Sequence, residues 1–122
     1  MILDIFLKQP EIHPKGWGRE IWIANSEMYC GKILELQKGK RCSIHYHKLK
    51  DETFYILSGH VQMNIHNEGY LKEPTILFMK PGETLHIPQL LIHQFIGIED
   101  SKILEISTQH FEEDSYRLLK GD

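Results

Sequence analysis

The sequence predicts an all-β chain, a sandwich or closed barrel of short antiparallel strands. Three observations carry that expectation. Nine segments rich in β-branched and aromatic residues follow one another: REIWIANS, GKILELQ, CSIHYH, ETFYILSG, HVQMNIHN, EPTILFMKPG, ETLHIP, IHQFIGI and SKILEIST. Most are bounded by Gly, Pro, Asn, Asp or Lys, the residues that end strands and make turns. At 122 residues and 41% hydrophobic composition there is apolar material for one compact core and hardly enough for two.

Taken in order, residues 1–14 place Ile2, Leu3, Ile5, Phe6 and Leu7 ahead of Pro10 and Pro14. That pattern suits a short helix or an added edge strand, ended by the prolines. The nine strand segments then run to residue 108. The tail EEDSYRLLKGD has helix-forming residues but is too short to be stable unless it docks. No internal repeat, low-complexity tract or linker interrupts the chain.

Composition excludes several classes of function. A net charge of −3 and a pI near 6.2 provide no basic field for nucleic acid. The longest apolar run is a few residues, against about 20 needed to cross a bilayer, and the amino end has no cleavage pattern of a secretory leader, so a cytoplasmic protein is expected. Cys30 and Cys42 lack metal-type spacing and are expected to be reduced, small and buried.

The chemistry concentrates in GKRCSIHYHKLKDETFYILSG, residues 39–59. Alternate side chains of a strand share a face, so His45 and His47 point together and Tyr46 points away. Glu52 follows the turn KLKD and is expected to open the strand that pairs back on the first, returning its carboxylate beside the two rings. A second stretch, PGETLHIPQLLIHQFIG at residues 81–97, has turns at Pro81-Gly82 and Pro88 and places His93 at the start of another strand. In a rolled barrel this strand could lie beside the first. Three imidazoles and one carboxylate then form a set suited to a divalent Zn, Mn, Fe, Ni or Co ion with positions left open, a catalytic pattern.

Residues 39–59 resemble the first cupin motif through Gly39, His45, His47, Glu52 and Gly59, and Gly82, Pro88 and His93 resemble the second. Leu90 stands where that family has glycine, and Gly97 where it often has asparagine. The resemblance implies an all-β, single-domain cupin over residues 1–122. It would be a double-stranded β-helix or jelly-roll barrel with its core at about residues 30–108, carrying short N- and C-terminal extensions. The flanks KGWGREIWI and ILEISTQHFEEDSYRL are similar to type II phosphomannose isomerases and to the isomerase domain of mannose-1-phosphate guanylyltransferases. That similarity implies an aldose–ketose isomerase acting on a sugar or sugar phosphate through a metal-stabilised enediolate.

Candidate roles follow from residue type. Glu105 and Lys50 are candidates for the catalytic base. Lys15 and Arg117 are candidates to hold phosphate or sugar oxygens, although Arg117 could equally neutralise Glu113 or Asp114 on a surface turn. Phe54 and Phe95 share the phase of Glu52 and His93, so they would line the pocket; Trp17 stands at the entry motif. His60, His66 and His86 are expected to face solvent or bond locally, and His13 and His110 to lie at the barrel margin, where a role behind the metal ligands or toward substrate is open. Two other functions fit the same ligands: an iron-dependent cupin dioxygenase, and a non-catalytic sugar-binding module. A homodimer is expected, with MILDIFLK as an added edge strand.

Overall fold

The structure is a computed structural model that describes residues 6–122. Eleven strands occur among the described residues: β1 (Glu11–Lys15), β2 (Gly18–Asn25), β3 (Cys30–Leu36), β4 (Ile44–Tyr46), β5 (Glu52–Ser58), β6 (Val61–His66), β7 (Thr75–Met79), β8 (Thr84–Ile87), β9 (Ile92–Gly97), β10 (Ser101–Ser107) and β11 (Tyr116–Leu119). They form two antiparallel sheets, one of six strands in the order β1-β2-β3-β10-β5-β8 and one of five in the order β11-β4-β9-β6-β7. Each of the nine strand segments read from the sequence is a strand here, in the two-sheet arrangement of a jelly roll.

Strict alternation builds the interior. In β3, Cys30, Lys32, Leu34 and Leu36 turn inward, and in β10 Ser101, Ile103, Glu105 and Ser107 do the same. Register lines these side chains into rows across the sheet. Leu34, Ile103 and Ile56 make an apolar row, whereas Lys32, Glu105 and Phe54 make a partly charged one. One part of the barrel is therefore filled by Leu34, Leu36, Ile56, Val61, Met63 and Ile103. The buried charged residues Lys32, Lys50, Glu52 and Glu105 are gathered away from that plug around one cavity.

Gly59 illustrates how the turns are held. Its φ is +93°, and a Cβ there would lie 2.5 Å from the Asp100 carbonyl oxygen, so glycine alone fits between β5 and β6.

Three local expectations are corrected. Residues 1–5 lie outside the described residues, and the first strand begins at Glu11 and runs through Pro14. Proline is tolerated there because β1 is an edge strand, paired only with β2. The tail is not helical beyond a 3-10 turn at Glu112–Asp114; Tyr116–Leu119 instead pairs with β4, since an open edge of β4 offers the backbone partners a lone short helix lacks. Finally, β4 and β5 do not pair. The turn after His47 crosses from one sheet to the other.

Candidate metal centre

His45 and His93 are directly opposite each other in the β4–β9 ladder, and His47 follows at the end of β4. The candidate ligand atoms of His45, His47 and His93 all lie within 4.8 Å of one another. Glu52 comes from the facing sheet, where its Oε2 is 3.4 Å from His47 Nε2 and 3.3 Å from His93 Nε2. The carboxylate thus reaches the imidazoles across the barrel interior, not along a shared hairpin.

The rings are oriented from behind. His45 Nδ1–H donates to the Ser43 carbonyl at 2.8 Å, His93 Nδ1–H to the Leu91 carbonyl at 2.8 Å, and His47 Nδ1–H to the Asp114 carbonyl at 3.0 Å. Each bond leaves the Nε2 lone pair free toward the common centre, the arrangement that metal-bound histidines adopt. Burial, reinforced by the neighbouring His93 and His47, holds the His45 imidazolium well below its ordinary range. Burial also lowers His47 to about 4, against the opposing pull of Glu52. Both rings are therefore neutral near pH 7, as ligation requires.

Glu52 behaves oppositely. Burial raises its carboxyl, but the Lys50 ammonium and His93 outweigh burial and leave it well below the usual carboxylate range. Glu52 Oε2 and His93 Nε2 are buried without a hydrogen-bond partner. Unpaired buried polar atoms cost about 1–3 kcal/mol each, and these two adjoin the cluster formed by the His45, His47 and His93 ligand atoms. A divalent cation satisfies that donor set, so the residues fit a metal.

Beside this centre lies a charged cluster. Lys50 Nζ is 3.5 Å from Glu52 Oε1 and 3.1 Å from Glu105 Oε2, and it also approaches His110 Nδ1 at 3.3 Å. Ser107 Oγ–H donates to Glu105 Oε2 at 3.0 Å. Burial pushes the Glu105 carboxyl up, with Lys50 pulling against it and Glu52 adding to the rise. Lys50 is held above its ordinary value because the charges of Glu105 and Glu52 overcome its burial.

A cavity of about 330 Å³ opens over both groups. Phe54, Phe95 and Trp17 wall it, Trp17 meeting Phe95 edge-on with centroids 5.2 Å apart. Lys15 and Arg117 line it as well, alongside Lys50 and Glu105. Every candidate residue read from the sequence borders this cavity except His93, which is fully buried behind Glu52. Arg117 pairs with Glu112 at 3.2 Å, not with Glu113 or Asp114.

Lys32, not singled out from the sequence, lines the cavity too. Lys32, 1% exposed, contacts Glu20 at 3.3 Å and lies 4.3 Å over the Trp22 ring. Its signal was available: it sits in phase with Leu34 and Leu36 on the buried face. His110, by contrast, reaches the cavity because Asn25 pins its backbone across 85 residues, which no local pattern announces. His66 is expected to face solvent or bond locally, but it is buried with its Nδ1 atom unpartnered, and the His60 Nε2 atom is likewise enclosed without a partner. His86 bonds locally to Asp51 as expected, and Cys30 and Cys42 are free and buried.

Two antiparallel sheets enclosing a cluster of three imidazoles, with the Glu52 carboxylate against two of them, define a jelly-roll fold with a candidate divalent-metal site. Residues 32–107 match the Cupin domain family, and the chain belongs to it. No curated protein matches at a significant level. Among solved structures, CapF from Staphylococcus aureus, a capsular polysaccharide assembling protein, superposes with a TM-score of 0.78 at 18% identity, covering 93% of this chain and 35% of that one. Oxalate decarboxylase from Bacillus subtilis gives 0.77 at 19% identity over 89% of this chain and 30% of that one, and it has Mn(II) centres. KdgF from Halomonas sp. gives 0.67 at 14% identity, covering 78% of this chain and 81% of that one. This chain spans about a third of the length of the first two, and at these identities the likeness is one of fold.

Proposed function

We propose that this cupin is a metal-dependent aldose–ketose isomerase of small sugars or sugar phosphates. The observation that carries the reading is the juxtaposition, in one cavity, of an ionised, metal-type carboxylate at Glu52 and a second carboxyl, Glu105, whose surroundings push it the other way. When bound by His45, His47, His93 and Glu52, a divalent ion would supply Lewis acidity to the carbonyl and neighbouring hydroxyl of an open-chain sugar. Mn(II) in oxalate decarboxylase, a structural neighbour, accords with such an ion.

This chain's own residues would do the rest. Glu105 takes the proton from the carbon bearing the hydroxyl and returns it to the former carbonyl carbon, while the hydroxyl proton passes to the former carbonyl oxygen. Lys50, 3.1 Å from Glu105, compensates that carboxylate before the first transfer and after the second. Phe54, Phe95 and Trp17 give an apolar wall for the sugar face and restrict water. Lys15 and Arg117 meet the substrate's far oxygens or phosphate.

The test is proton exchange in deuterium oxide, followed by NMR on protein of measured metal content, with mannose, fructose and their 6-phosphates. Deuterium at the carbon next to the carbonyl is the expected result. Oxygen consumption by iron-loaded protein, without exchange, would instead establish the dioxygenase reading. Sugar binding that persists after metal is stripped, again without exchange, would establish the non-catalytic module.

The same proposal includes a homodimer. Ile12, Ile21, Ile33, Leu104 and Tyr55 form a continuous row across the outer face of the six-stranded sheet, next to Ile23 and Ile106, which are 54% and 57% exposed. Six strands about 4.8 Å apart and four to eight residues long give a face of roughly 500 Å² on each copy, and two such faces reach the ~1,000 Å² that a specific interface should clear. A second copy packed face to face buries it. Sedimentation should show a dimer that Ile23→Lys with Ile106→Lys converts to monomer; a monomeric wild type overturns this part. Two free, buried cysteines accord with a cytoplasmic protein.

A further inference from the structure

One buried carboxylate ties the metal-site histidine His47 and the loop bearing Lys50 to a segment more than sixty residues further along the chain. Asp114, 3% exposed, closes the 3-10 turn before β11. Its Oδ1 accepts the Lys48 and Leu49 backbone N–H groups at 2.9 and 3.0 Å, and its Oδ2 accepts those of Leu49 and Lys50 at 3.2 and 3.0 Å. Its own carbonyl accepts the His47 Nδ1–H at 3.0 Å.

Each half of this arrangement has a physical consequence. The loop at 48–51 crosses between the sheets, so its N–H groups have no ladder partner, and three of them are satisfied by Asp114. Without it they would be left to water or to nothing, and Lys50, 3% exposed, could not be delivered inward in one conformation. The carbonyl, in turn, selects the His47 tautomer and ring plane. Because side chain and carbonyl belong to one residue, the histidine and the lysine are set relative to each other by a single anchor. His45 and His93 differ: their Nδ1 partners, Ser43 and Leu91, lie two residues back in the chain, just ahead of β4 and β9.

We propose that Asp114 is the positioning residue of the metal centre, and that the segment from Glu112 to Leu119 is energetically coupled to metal binding. The inference rests on the metal-site reading above. Outer-sphere partners of metal histidines typically change affinity about 10–100-fold when removed, and the same range is expected here. Reciprocity requires that metal binding tighten the loop that Asp114 holds.

Cobalt(II) is the probe. Titrated into wild type, Asp114→Asn, Asp114→Ala and the exposed-neighbour control Glu113→Gln, it reports affinity and, through its visible d–d band, ligand geometry. Expected are a 10–100-fold weaker affinity and an altered band for both Asp114 variants, with Glu113→Gln unchanged. Wild-type affinity and band in either folded Asp114 variant overturn the proposal. Should both variants fail to fold, amide hydrogen exchange on the wild type decides: cobalt must slow exchange at Lys48, Leu49 and Lys50, and unchanged exchange there overturns it. A wild type that binds no cobalt, manganese or zinc overturns the metal reading itself, and this inference with it.

Discussion

Leu90 is a non-glycine residue held at a φ of +73°, where an L side chain crowds its own backbone. Its N–H donates to the His47 carbonyl at 2.7 Å, so the strained turn after Pro88 is pinned beside a candidate ligand. The side chain is 63% exposed and contributes little packing. Left-handed conformation costs about 1–2 kcal/mol for such a residue, whereas glycine's extra chain entropy costs about 0.5–1 kcal/mol. Leu90→Gly should therefore leave stability unchanged or raise it by up to about 1.5 kcal/mol in urea denaturation. A loss of more than that would mean that Leu90 is held by packing and not tolerated despite strain. The glycine absent from the second motif thus changes a turn and leaves His93 where the ladder puts it, opposite His45.

At the scale of elements, the 3-10 turn and β11 form a flap of charge over the cavity. Glu112 accepts from His110 Nε2–H at 3.0 Å and from Arg117 at 3.2 Å, and the His110 bond, with Arg117 assisting against burial, lowers its carboxyl from 4.5 to about 2. A depressed carboxylate stabilises the fold fully above its unfolded value near 4.5, and that contribution is lost as pH falls toward 2. The stability difference between wild type and Glu112→Gln should accordingly shrink between pH 5 and pH 2 in chemical denaturation. Added salt should shrink it too, because the pair is partly exposed. A difference independent of pH would show that Glu112 acts through packing alone.

For the whole molecule, the interior is divided between an apolar plug and a charged cavity. The plug supplies hydrophobic stability; the cavity gives some of it back through buried lysines, carboxylates and the unpaired atoms of Glu52 and His93. Ligation removes that penalty only in the folded state, so a divalent ion should raise the melting temperature. At 100 times its dissociation constant the ion adds about 2.7 kcal/mol, which for a chain of this size corresponds to roughly 10 °C. His93→Ala should abolish the metal-dependent increment even where its own melting temperature is lower. An undiminished increment in that variant would place the ion elsewhere.

The alternation of β3, β5, β6 and β10 told in advance which side chains turn inward, because the two-residue period of a strand is a local property. His45 and His47 shared a face for that reason, and Lys32 could have been placed the same way. Turn residues marked the nine central strands equally well. What local chemistry could not state was which strand lies beside which. Glu52 follows His47 by a short turn, as a hairpin partner would, yet it belongs to the other sheet and meets the rings across the interior. The tail, short and rich in helix formers, is a strand because β4 had an open edge. Asp114 and His110 reach the site through contacts spanning more than sixty residues. Local sequence marked nine of the eleven strands, their inner faces and the pattern of imidazole and carboxylate. Closure of the barrel alone decided which of these meet, since pairing between distant strands is set by the sum of the packing and not by any neighbour in the chain.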